Sequence, residues 1–277
     1  VNVDVLVLVL DDPTADNQAR SPPARDKVPP MSPSPPSAPP PSKALLALRA
    51  TCFGAVALAF PISGALVFGA GLDRHQAADA LAVIYCVGLI SGVFAVLLPL
   101  PSLRAWTRAQ RVESAALVFL GMSYVTHLSW ELGWLLLKDA IAANPDAPWA
   151  YAWWAYIDGG DARYAVGDTL LVAMELLSVT NGTVGALALA RFLRSGRQDL
   201  AARLALGATA VVHLYSASLY YASELLTGLP NVGDGFISVY IKFGLANSLW
   251  VLAPFFVFRF VYDGLVPAPR EVTQASA

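Results

Sequence analysis

Six apolar runs, each long enough to cross a bilayer as a helix, restrict what this chain can fold into. To within a few residues they cover 45–71, 80–102, 113–137, 169–193, 202–226 and 237–262. The longer ones must tilt or extend past the lipid. Only 14% of the 277 residues are charged, against about 25% in a soluble domain. The expected fold is therefore all-α: a polytopic membrane helix bundle of about six transmembrane helices. Pro61 and Pro254 fall inside runs, where a membrane helix tolerates them with a kink.

Loop charge gives an independent check. Arg104, Arg108 and Arg111 follow the second run, and Arg194 and Arg197 follow the fourth. Arg20, Arg25, Lys27 and Lys43 precede the first. The opposite loops are rich in acid, with Asp146, Asp158, Asp161 and Asp168. The excess of positive charge marks the cytoplasmic side and places both termini there, as an even helix count requires. The membrane would be the endoplasmic reticulum in a eukaryote or the cytoplasmic membrane in a bacterium.

The ends differ from the runs. Residues 1–43 are dominated by Pro, Ser and Ala and read as a disordered, partly polyproline tail. Translation is expected to start at Met31, since Val1 opens the chain; N-terminal sequencing showing earlier residues would refute this. Residues 44–79 hold the first run and its loop, 80–265 the remaining five runs, and 266–277 a short C-terminal tail. A net charge of −2, with basic residues confined to short loops, gives nucleic-acid binding no support. Cys52 and Cys86 both lie in apolar runs and read as small buried hydrophobes.

The long connection 138–168 contains PWAYAWWAYIDGGDARYAVGD. Its Trp149, Trp153, Trp154 and Tyr156 suit an interfacial aromatic belt. The alternative is a lid over a pocket among the helices. Asp161 and Arg163 are expected to fix the structure of this loop rather than to do chemistry.

Polar residues inside the runs carry the functional signal. The third run reads ESAALVFLGMSYVTHLSWELGWLLLK, with His127 and Glu131 four residues apart on one helix face. The fourth carries Glu175 and Ser178, the fifth His213, the sixth Lys242, Asn247 and Trp250. A charge at mid-membrane costs at least ~2.5 kcal/mol, so such residues pair or face a pocket. At 1.5 Å per residue, His127 and Asn247 lie about 15 Å from the outer ends of their runs, and Glu131 and Glu175 about 10 Å. Trp250 lies near 20 Å. One shared pocket is the simplest account of that layer.

Burial in hydrocarbon disfavours the charged form of a carboxyl, so such a group can be a neutral acid at pH 7. An imidazole beside a second carboxylate is oriented and made more basic. Together they suit protonation of a carbon–carbon double bond and removal of a different proton, with an indole face stabilising the cation between. Competing uses remain. His127, Glu131, Glu175 and His213 include zinc and iron ligand types, but the Glu-x-x-His signature of di-iron bundles is missing. A proton-coupled transporter also uses membrane His and Glu, yet no internal repeat is visible.

The order HLSWELGW, GDARYAVGD, AMELLS, HLYSASLYYASE, ANSLWVLAPFF resembles the emopamil-binding protein family, whose membrane unit is the EXPERA domain. The resemblance covers about residues 80–265 and implies five membrane helices, to which 45–71 adds one. It implies a sterol Δ8–Δ7 isomerase-like enzyme that shifts a ring double bond without cofactor or metal. By that resemblance His127 and Glu175 handle protons and Glu131 supports His127. Ser178, where the family usually has Thr, would line the pocket with Asn247, Trp250, Tyr164 and His213. Lys242, where the family tends to have an aromatic residue, either snorkels to the interface or contacts a polar group of a different substrate. The implied partners are a sterol or sterol-like lipid and the bilayer, with a homodimer allowed. A lipid-binding or trafficking protein without catalysis is the second reading.

Overall fold

The computed structural model describes residues 42–266. The tails expected at 1–43 and 266–277, and Met31, fall almost wholly outside the described residues. The helices are α1 (Lys43–Ala70), α2 (Arg74–Phe94), α3 (Arg108–Thr126), α4 (Leu132–Ala143), α5 (Tyr151–Ile157), α6 (Arg163–Val166), α7 (Thr169–Arg194), α8 (Leu200–Leu225), α9 (Ala246–Leu252) and α10 (Pro254–Leu265). Among the described residues there is no strand.

Helices α1, α2, α3, α7 and α8 each start on a side chain that caps a free backbone amide. Ser42 accepts from Leu45, Asp73 from Gln76, Asp168 from Leu171 and Asp199 from Ala202. Thr107 and Gln110 form a reciprocal capping box at α3. Its bond from the Ala202 amide, then its contact with Arg191, hold the Asp199 carboxyl below its ordinary range. Gly71, at φ 71°, turns the chain sharply out of α1. The second run, expected over 80–102, instead spans Arg74–Leu97. It begins earlier because Asp73 caps it, and it cannot run on through Pro99 and Pro101, which lack the amide hydrogen a helix needs.

Five described segments are long and apolar enough to cross a membrane: Lys43–Ala70, Arg74–Leu97, Thr169–Arg194, Leu200–Leu225 and Ile237–Leu265. They are compatible with a multi-pass membrane protein. The third run is not among them. Its helical path continues from Arg108 to Ala143, but the polar side chains it carries, His127, Ser129 and Glu131 among them, dilute its apolarity.

Two helices are widened by π turns, at His127–Glu131 between α3 and α4 and at Ile237–Leu245 before α9. Such turns hold an extra residue and re-aim the side chains beside them. Both sit beside the cavity described below. Pro254 falls where α9 gives way to α10, at a first-turn position that asks no hydrogen bond of its nitrogen.

The buried side chains form two main clusters. One, around Phe119, Phe192, Leu206 and Val257, joins α3, α7, α8 and α10. The other, around Trp134, Leu171, Tyr220 and Phe243, joins α4, α7, α8 and the second π turn. Close packing without a hydrophobic driving force in lipid relies on small residues. Gly88 and Gly92 of α2 supply it: an added Cβ would lie 2.4 Å from Val56 and 2.6 Å from Phe53 of α1. Helix α1 is thereby seated directly on the rest of the bundle.

Candidate active site

A cavity of about 700 Å³ is lined by all nine of the residues singled out from sequence: His127, Glu131, Tyr164, Glu175, Ser178, His213, Lys242, Asn247 and Trp250. Its remaining wall is mostly aliphatic and aromatic, as expected of a pocket for an apolar ligand.

The first π turn carries the acid–imidazole pair. His127 Nδ1 lies 2.5 Å from Glu131 Oε2, with both residues buried. The Glu131 and Glu175 carboxyls come within hydrogen-bonding reach of each other. A proton on either carboxyl would let it donate to the other. Tyr164 donates its hydroxyl to Glu175 Oε1. No N–H or O–H donor among the described residues reaches Glu175 Oε2. That oxygen is left to Glu131 and to whatever fills the cavity.

On the other side of His127, Nε2 lies 3.0 Å from Ser123 Oγ and 3.0 Å from His213 Nε2. Ser123 Oγ is also 3.1 Å from His213 Nε2 and accepts the Trp250 indole N–H at 2.7 Å. If Glu131 accepts from His127 Nδ1, His127 Nε2 is a lone pair, and Ser123 and His213 compete to donate to it. Sequence reasoning missed Ser123. It lies one turn before His127 on the same face, so the spacing that revealed Glu131 would also have found it.

Asn247 donates to the Tyr156 hydroxyl at 3.1 Å and to the Phe243 carbonyl at 2.8 Å. Tyr156 in turn shares a 2.5 Å hydrogen bond with Tyr220. Ser178 lines the cavity without a hydrogen bond to another described residue. Lys242, read as either snorkelling or contacting a polar group of a different substrate, has partners within the protein. Its ammonium is buried, 2.8 Å from an Asp79 carboxylate oxygen of α2, and donates to the Asp158 carbonyl at 2.7 Å. These two partners tie the second π turn to α2 and to the long connection, so only the remaining donor capacity is open to a ligand.

That connection roofs the cavity: Ala152, Ala155, Tyr156 and Tyr164 line it. Its tryptophans, expected as an interfacial belt, are fixed to helix carbonyls. The Trp153 indole donates to Trp130 at 3.0 Å and Trp154 to Ile141 at 2.8 Å, while Trp149 stays exposed. Arg163 grips Asp161 through Nε and Nη2, lies 3.1 Å from Glu224 of α8, and stacks over the Tyr220 ring. Among the described residues, no three His, Cys, Asp or Glu side chains are grouped as metal ligands.

Helix α7 approaches the acid–imidazole pair through Gly182. A Cβ there would sit 2.8 Å from the His127 Cβ. That atom is fixed to the backbone and cannot swing aside, so Gly182→Ala must push the π turn and α7 apart. Displacing a reacting group by about 1 Å can cost ~100-fold in rate. We expect Gly182→Ala to stay folded in detergent, by circular dichroism, and to lose on the order of 10- to 100-fold in the turnover assay described below. Full activity would show that His127 placement is not critical.

No protein-family model matches this chain, and no curated protein is significantly similar to it.

Proposed function

We propose that the cavity is the active site of an intramembrane isomerase that moves a carbon–carbon double bond in a sterol or sterol-like polycyclic isoprenoid. A proton added to one alkene carbon leaves a carbocation on its neighbour. Loss of a proton from an adjacent carbon then forms the new double bond, and substrate and product have the same composition. Glu175, backed by Tyr164 and Glu131, and His127, oriented by Glu131, handle the two protons. Trp250, its indole edge fixed by Ser123, supplies an aromatic wall for the cation. Asn247 and Ser178 face the same space. No cofactor is required by this scheme. In this reading the helical path Arg108–Ala143 is a sixth membrane crossing, and both termini lie in the cytoplasm.

The observation that carries the proposal is the grouping of Glu175, Glu131 and His127 on one mostly apolar cavity, with His127 Nδ1 2.5 Å from Glu131 Oε2. Carboxyls and imidazole are the groups that supply general acid–base catalysis. The resemblance to the emopamil-binding protein family points to the same reaction.

The test is incubation of purified protein with a Δ8 sterol in heavy water, followed by mass spectrometry of the lipid. The expected product has a shifted double bond and one new deuterium. One observation favours a second reading, a lipid-binding protein without catalysis: both ring nitrogens of His127 already have protein partners. A sterol that binds tightly and returns unchanged would establish that reading instead.

A further inference from the structure

The cavity opens sideways. Phe53, Val56, Ala57 and Phe60 of α1 line it, as do Met122 and Val125 of α3. Ala57 and Val125 are at the same time exposed on the outside of the bundle. Side chains that face both cavity and exterior mark an opening. Helix α1 packs closely on α2 but not along α3, which leaves the gap between them.

Polar latches close the gap at both ends. At one, Arg49 donates to Ser114 Oγ at 3.1 Å and to the Gly92 carbonyl at 3.2 Å, joining α1 to α3 and α2. At the other, the Ser63 and Tyr151 hydroxyls meet at 2.7 Å, and the Phe68 ring packs edge-on to Tyr151. The latches stand about 20 Å apart along α1 at 1.5 Å per residue. Ala57 lies at the middle of this 28-residue helix, about 20 Å from either end. A helix of that length and apolarity spans the hydrocarbon core, so the opening between the latches faces acyl chains rather than water. Its rim offers aliphatic and aromatic carbon at Ala57, Phe60, Met122 and Val125, which would admit an apolar body and reject a charged one.

We infer that this gap is a lateral portal through which an uncharged polycyclic or isoprenoid lipid passes between the bilayer and the cavity, with α1 as its outer jamb. The identity of the lipid rests on the isomerase reading; the route does not. Ala57 is the small residue of the rim, and its exposure lets a larger side chain be accommodated without disturbing the core.

The test uses the full chain in phospholipid vesicles and an intrinsically fluorescent sterol with a conjugated ring triene, read by energy transfer from protein tryptophan. A plug in a portal slows entry and exit alike and leaves the bound state untouched. Ala57→Trp, and separately Val125→Trp, should lower association and dissociation rates together by about 10-fold, with Kd unchanged within about twofold. Leu58→Trp, on an exposed position of α1 outside the cavity lining, should change neither rate. Unchanged rates in both plugged variants would overturn the portal. So would a change confined to dissociation, which would make the rim part of the binding surface. Failure of the wild-type chain to bind the sterol would overturn the proposed occupant. A sterol exchanged with these kinetics but returned with its double bond unmoved would sink the isomerase and leave the portal in place.

Discussion

Glu175→Gln is expected to bind sterol as the unaltered protein does and to turn it over at least ~100-fold more slowly, the usual cost of losing an acid–base group. The amide has the shape of the acid it replaces. Its oxygen can still accept the Tyr164 hydroxyl that now reaches Glu175 Oε1. What it cannot do is release a proton, or share one with Glu131. Binding and chemistry are thereby separated, because the cavity keeps its volume and its apolar wall. The measurement pairs sterol binding with deuterium incorporation on the same preparation. Retained deuterium incorporation in Glu175→Gln would remove Glu175 from the reaction and leave the proton to Glu131 and His127.

The second large effect lies in the roof. Burial opposes the charge on Arg163, but its hydrogen bonds to Asp161 and the nearby Glu224 outweigh that and hold the guanidinium above its ordinary pKa. Asp161 and Glu224 are themselves almost completely buried. Glu224 further accepts from the backbone and side chain of Asn231, and the Asn231 carbonyl accepts from Ala162. Arg163 therefore ties the roof to α8 and to the loop beyond it. Arg163→Met leaves two carboxylates without their cation, and removing one partner of a buried pair costs about 3–5 kcal/mol. The variant should show a clearly lower midpoint in thermal unfolding followed in lipid nanodiscs. Arg163→Lys keeps the charge but loses the forked geometry that holds Asp161 through two nitrogens, and should fall between. A midpoint for Arg163→Met equal to that of the parent would mean that the roof is held without Arg163, by its tryptophan hydrogen bonds and by the ties of Asp158 to Lys242 and of Ala162 to Asn231.

Much of the architecture was legible because lipid imposes simple demands. Long apolar runs had to be helices, and Ser42, Asp73, Thr107, Asp168 and Asp199 announced where most of them begin. The candidate site was legible because polar side chains in hydrocarbon need partners. His127, Glu131, Glu175 and Asn247 could be set in one layer by counting residues from the run ends, and they do line one cavity. The π turns were not legible. Apolar residues surround these helices on most faces, so the pattern carries no period that would betray an extra residue. The partner of Lys242 was hidden as well: Asp79 lies at the start of a different helix, and only packing brings the two together. Ser123 was overlooked because a lone serine in an apolar run is ordinary. The part played by α1 in the cavity wall depends on its packing against α2, which no local pattern encodes.

The π turn at His127–Glu131 has a consequence for chain length. It holds one residue more than regular winding would need over the same rise. Deleting the outward-facing Leu128 would let the helix rewind while α3 and α4 kept their axes, with the acid still one turn from the imidazole. The same deletion in the regular α7 would swing every later side chain around the axis by about 100°. This bundle thus tolerates a change of length at the very place where its reactive groups are aimed. Natural variants that differ by one residue there would alter the reach of the acid and spare the scaffold, so single-residue gaps are the changes to watch in this segment.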